Sequence, residues 1–196
     1  MGTLFVDKLD PQSGTALEIG SSGDTMTVPS GATFNVAGTL QSGGAAVANT
    51  PAFEAKLGSD MNVTDNAQTK VTCGTEVYDT DNAYDNSSNY RFTVPSGKAG
   101  KYLFSFNVAV ASNTGVSNAK QLFVALYKNG TTFLQNFFDG RNDAYGDTFN
   151  GSASFILDCS ASDYFEIYAK FNDSGSGGGN VQSGATSFSG VRLLAS

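Results

Sequence analysis

An all-β, antiparallel fold is what this sequence predicts, and three observations carry the prediction. Apolar and polar residues alternate through Tyr102, Phe104, Phe106, Val108 and Val110, so large side chains fall on one face of a pleat. Turn formers punctuate such segments: the chain has 23 glycines among 196 residues, and Pro-Ser-Gly and Asn-Gly steps separate the alternating runs. Fifteen Phe and eight Tyr, with no Trp, suit half-buried pleated surfaces, while charged residues make up only 15%.

Taken in order, the elements fall into two regions, 1–50 and 51–196. The opening contains Leu4, Phe5, Val6 and Leu9, an apolar peptide suited to docking as an anchor. Short alternating pieces follow: Leu17 and Ile19, Met26 and Val28, Phe34 and Val36, then Leu40, each cut off by Gly, Ser, Asp or Pro. Pieces so short cannot bury a core alone, whereas three chains winding around one axis would give each piece neighbours, making a β-rich shaft. A flexible low-complexity arm is the alternative. Gln41-Ser42-Gly43-Gly44-Ala45-Ala46 reads as a linker. Pro51 to Leu57, with Phe53, opens the larger region. Further strands are expected over 69–78, 90–94, 100–111, 121–128, 131–138, 148–158, 164–171 and 188–194. Asn129-Gly130 signals a two-residue hairpin, because both residues tolerate positive φ. Cys73 and Cys159 sit in apparent strands, Cys159 in phase with Phe155 and Leu157, and read as buried free thiols rather than a disulfide.

Composition excludes several functions. A net charge of −7 and a pI near 4.4 oppose attachment to nucleic acid or anionic lipid. No apolar run approaches the roughly 20 residues of a membrane-spanning helix. The start, M-G-T-L-F-V-D-K, lacks the pattern of a signal peptide, so export by that route is not expected. The absence of His removes Ser-His-Asp and Cys-His triads and His-based zinc sites. The glycine run at 175–179 lacks the Lys of a phosphate loop. Carboxylates leave one enzymatic route, through Asp79, Asp81 and Asp85 or through Asp139, Asp143 and Asp147 around Arg141. Such loop residues are usually solvated turn formers, so no enzyme is expected. The run D-T-D-N from Asp79 begins like a calcium loop but lacks Gly at its sixth position and Glu at its twelfth; calcium is the only cofactor left open, and no residue is assigned to a metal.

The loops do offer recognition surface. Tyr84, Asn86 and Asn89, with Ser87 and Ser88, form one candidate ligand-binding set, and Arg141, Asn142, Asp143 and Tyr145 a second. Both mix aromatic faces with short hydrogen-bonding groups, although turns use the same residue types.

Four segments together carry a resemblance. They are Y-R-F-T-V-P-S-G-K-A-G-K-Y-L-F-S-F-N-V-A-V at 90–110, V-A-L-Y-K-N-G ending at Gly130, S-F-I-L-D-C-S-A-S-D-Y-F-E-I-Y-A, and the closing F-S-G-V-R-L-L. In order and spacing they resemble the complement C1q / tumour-necrosis-factor jelly roll over most of 51–196. That resemblance implies an antiparallel sandwich forming a homotrimeric recognition head. Phe53, Phe104, Phe106, Phe123, Tyr127, Phe165 and Tyr168 are its candidate trimer-interface residues. The acidic, Asn-rich loop at 79–89 and the segment at 174–180 depart from the family pattern. In the first region, V-P-S-G-A-T-F-N-V-A-G-T-L is similar to short repeats of bacteriophage tail-fibre and appendage proteins, especially marine ones. Together these resemblances imply a virion surface appendage of the tail-fibre or head-fibre type. It would be anchored to other virion proteins by its N-terminal region and attach to a host-surface glycan. Rival readings are a capsid or tail decoration protein without a receptor, a capsule-degrading enzyme, and a cellular C1q-like adhesin.

Overall fold

A computed structural model of the chain describes residues 9, 13–17, 19–42, 45–46, 49–115, 118–140 and 146–195. The chain divides into two units, Met1–Val47 and Ala48–Ser196.

In the first unit the described chain is extended and punctuated by turns. The Asp24 carboxylate accepts the Ser21 N–H at 2.7 Å, and Ala32 N–H donates to the Pro29 carbonyl at 3.0 Å. The one ladder among its described residues joins β1 (Gln41–Ser42) to β2 (Ala45–Ala46). Among the described residues the alternating pieces at 17–40 have no strand partner, since two apolar residues per piece bury too little to hold a ladder. Their large side chains stay uncovered: Ile19 is 62% exposed and Phe34 58%. Leu9 is also exposed, whereas Leu4, Phe5 and Val6 lie outside the described residues.

The second unit is a sandwich of two antiparallel sheets. Its strands are β3 (Ala52–Lys56), β4 (Met61–Val63), β5 (Thr69–Lys70), β6 (Thr75–Asp79), β7 (Tyr84–Asp85), β8 (Arg91–Thr93) and β9 (Gly100–Ser112). Then follow β10 (Ala119–Lys128), β11 (Thr131–Asp139), β12 (Thr148–Cys159), β13 (Tyr164–Asp173), β14 (Gly179–Val181) and β15 (Ser187–Ala195). The first sheet runs β11-β10-β13-β8-β7, with β5 also on β13. The second runs β4-β14-β9-β15-β3-β6, with β12 along the other side of β9. Asn129 and Gly130 take positive φ values of 52° and 78° and turn β10 into β11, as their sequence predicts.

The alternation in β9 sends Tyr102, Phe104, Phe106, Val108 and Val110 into the space between the sheets. There Phe104 meets Phe165 with ring centroids 4.3 Å apart, and Phe53 stacks on Phe92 at 4.8 Å. Aromatic pairs of this kind add about 0.5–1.5 kcal/mol beyond area burial. Gly190 of β15 makes room for two of the rings: a Cβ there would lie 2.7 Å from ring carbons of both Phe104 and Phe53.

Two expectations are corrected by this packing. Phe53, Phe104, Phe106 and Phe165 are at most 2% exposed within one chain, so they have no surface left for a neighbouring copy. They belong to the core because their strands turn this face toward the opposite sheet. Phe123, Tyr127 and Tyr168 instead sit half-buried on the outer face of the first sheet, where Phe123 stacks on Phe137 at 4.0 Å and Tyr127 packs on Tyr168 at 4.1 Å. The single strand expected over 69–78 is two strands, β5 and β6, in different sheets. Between them Val71 and Cys73 are buried, and Val71 N–H donates to the Ile167 carbonyl at 2.9 Å. Cys73 and Cys159 are both free and buried.

Candidate binding groove

The acidic loop expected between strands is built from aspartates that hold main-chain N–H groups. Asp79 accepts from Asp81 N–H at 3.2 Å and Tyr84 N–H at 2.7 Å, closing the first turn. Asp85 accepts from the N–H groups of Ser87, Ser88 and Asn89 at 3.1, 2.8 and 3.1 Å, and from the Asn89 side-chain amide at 2.6 Å. This is how Asp nucleates a turn. The Ser88 and Ser87 N–H groups, then the Asn89 amide, hold the Asp85 carboxyl well below the usual carboxylate range. Asp81 pairs with Lys98 at 3.3 Å. Lys70 Nζ donates to the Asn89 carbonyl at 3.2 Å and fastens the far end of the loop.

The fastened turns border an open polar groove of about 510 Å³, lined by residues 81–87 and Asn89 and, from β8 and beyond, by Arg91, Thr93 and Pro95. Arg91 stands directly across the ladder from Asp85, a position at which opposite charges usually pair. Here they do not. The Asp85 oxygens are engaged by the loop, and the guanidinium lies 4.3 Å over the ring of Tyr164, a favourable cation–π placement. Its N–H groups have no acceptor among the described residues.

Of the sequence-predicted ligand residues, Tyr84, Asn86, Ser87 and Asn89 line the groove. Asn86 donates weakly to Glu76 at 3.4 Å, while the Asn89 amide is tied to Asp85. Tyr84 borders the groove but offers it no aromatic face, which corrects that part of the expectation: the residue is 4% exposed, its ring stacks on Phe53 at 4.9 Å, and its hydroxyl donates to the Cys73 carbonyl at 3.0 Å. It pins the loop to the core, and burial pushes its phenol up from the ordinary value. Arg141, Asn142, Asp143 and Tyr145 lie outside the described residues. Arg91 escapes a sequence reading because β8 looks like a core strand around Phe92; its outward phase beside that residue is the signal that could have found it.

As an acid–base group Asp85 is poorly set. A general acid needs a raised pKa, and Asp85 moves the other way. Among the described residues no three His, Cys, Asp or Glu side chains gather to hold a metal, so Asp79, Asp81 and Asp85 do not converge as a calcium loop requires.

A second surface is apolar. On β11, Phe133, Phe137 and Phe138 are exposed. On the outer face of the second sheet, strand register aligns Ile156, Leu103, Val191 and Ala52 in one row. Beside that row lies a depression of about 80 Å³ lined by Tyr78, Leu103, Ser105, Ser189, Gly190 and Val191. The serines keep its floor low, and Ser154 Oγ donates to Ser105 Oγ at 2.9 Å.

No family model matches the sequence, and no curated protein does. Solved structures match the second unit's architecture. The globular domain of zebrafish complement 1qA protein superposes with a TM-score of 0.52 at 15% identity, covering 75% of this chain and 100% of that one. Eiger TNF from S. frugiperda gives 0.53 at 12%, covering 76% and 96%. Murine APRIL at pH 8.5 gives 0.50 at 12%, covering 73% and 98%. At such identities the likeness is one of fold, and the fold is the C1q/TNF-like jelly roll.

Proposed function

We propose that the chain is a homotrimeric surface appendage of a bacteriophage virion, with the first unit as anchor and shaft and the jelly roll as a head that attaches to the host surface by binding. The observation that carries this reading is the apolar surface that one chain leaves uncovered. On the head it falls into two unlike patches, the Phe133 and Phe137 face of β11 and the Ile156, Leu103, Val191 and Tyr78 face of the second sheet. Two different patches that meet head-to-tail make a heterologous contact rather than a twofold dimer, and a rotation of one third of a turn closes it into a ring of three. In the first unit, Ile19, Met26 and Phe34 are exposed in pieces that need neighbouring copies to be covered. Threefold symmetry would present three copies of each loop, so weak contacts with a repetitive surface combine through effective concentration.

The test is the mass of the full chain by light scattering, together with adsorption of the labelled protein to bacterial cells. A trimer of the 20.4 kDa chain is expected. The Phe137→Asp variant, which sets a charge in the proposed contact, should shift it toward monomer. A wild-type chain that stays monomeric at micromolar concentration removes the assembly on which the reading stands.

A further inference from the structure

We infer that the groove beside Arg91 binds an uncharged, hydroxyl-rich glycan; this rests on the attachment reading and names the chemistry of its ligand. Charge is balanced locally. Asp81 is matched by Lys98, and Asp85 stands across the ladder from Arg91. An acidic sugar approaching the guanidinium would meet Asp85 and Asp81 in the same groove, on a chain of net charge −7. A hydroxyl both donates and accepts. The groove offers both complements: the N–H fork of Arg91, which has no acceptor among the described residues, and the carboxylate and amide oxygens of Asp81 and Asn86.

The site is also organised before a ligand arrives. Tyr164 holds the guanidinium at 4.3 Å, and four N–H donors hold the Asp85 turn, so binding has little side-chain or loop freedom left to remove. The volume of about 510 Å³ falls in the range of small-ligand sites, roughly 300–1,000 Å³.

The experiment is calorimetric titration of the full chain with neutral polysaccharides (mannan, dextran, galactan) and acidic ones (alginate, hyaluronate), repeated with Arg91→Ala and Asn86→Ala. At least one neutral polymer should bind with an affinity that holds between ~0.05 and ~0.5 M salt. Arg91→Ala should weaken it by about tenfold or more, the loss of hydrogen bonds from a charged donor. The variant's light-scattering mass should equal the wild type's, which separates a lost site from a lost fold. Binding of none of the neutral polymers, preference for an acidic polymer with affinity that collapses in salt, or an Arg91→Ala chain that binds as the wild type would each overturn the inference. Cell adsorption keeps the two readings apart. If Arg91→Ala adsorbs like the wild type, the groove reading falls and attachment stands; if the wild type binds neutral glycan but no cells, attachment falls and the groove stands.

Discussion

Cys73 and Cys159 show how burial acts on a single ionisable group. Desolvation pushes the Cys73 thiol from 9.0 up to about 12; at Cys159 desolvation again leads, against an opposing pull from Lys128, and the result is also about 12. Burial moves Tyr102 from 10.0 to about 12 in the same way. In each case the native state keeps a proton that the unfolded chain releases, so the contribution to stability is full below the unfolded pKa and is lost as pH rises through the folded one. The urea midpoint should therefore fall between pH 9 and about 12. A thiol reagent at neutral pH should label neither cysteine until the chain unfolds. Prompt labelling of the native protein, or a midpoint indifferent to alkali, would contradict the packing described. The burial of these thiols is legible in the sequence, because Cys159 falls in phase with Phe155 and Leu157. Tyr84 is not, since a tyrosine within a run of Asp, Asn and Ser looks solvated, and only the fold carries its ring to Phe53.

Among the elements, β15 depends on the one position that has no side chain. In the Gly190→Ala variant the new Cβ meets ring carbons of Phe104 and Phe53 at 2.7 Å, and neither ring can swing away inside a filled core. We expect a loss of about 1–3 kcal/mol, the usual cost of overpacking, seen as a lower urea midpoint at an unchanged slope. A variant of wild-type midpoint would mean that the two rings have room to move. The long strands β9 to β13 and β15 are readable because side chains alternate and because Asn129-Gly130 marks its own turn. The short ones are not. β4 and β14 exist through partners distant in sequence, β7 is two residues long beside β8, and 69–78 reads as one strand because propensity reports extended backbone without saying which sheet it joins. The groove was half legible for the same reason: Asn86 and Asn89 announce a polar loop, but the availability of Arg91 depends on Asp85 being occupied by its own turn.

For the whole molecule, the proposed assembly makes stability a property of concentration. Subunits that bind only in the folded state raise the apparent melting temperature by mass action. The midpoint of the full chain should climb over a hundredfold increase in protein concentration, and the Phe137→Asp chain should show no such climb. A wild-type melting temperature that ignores concentration would count against assembly through β11. Which aromatic residues face a neighbour is a question the sequence answers poorly. Alternation separates the two faces of a strand, yet β10 is apolar enough on both, with Leu122, Val124 and Leu126 on one and Phe123, Ala125 and Tyr127 on the other, that the choice between core and surface comes only with the second sheet in place.

The chain passes into the jelly roll through β3, and β3 is an inner strand, laddered to β15 on one side and β6 on the other. A pull applied to the preceding chain while the head is held elsewhere runs along that strand. It loads both ladders in shear, so their hydrogen bonds must yield together rather than peel away one after another. In the proposed appendage, a head tethered in this way would be suited to sustained drag.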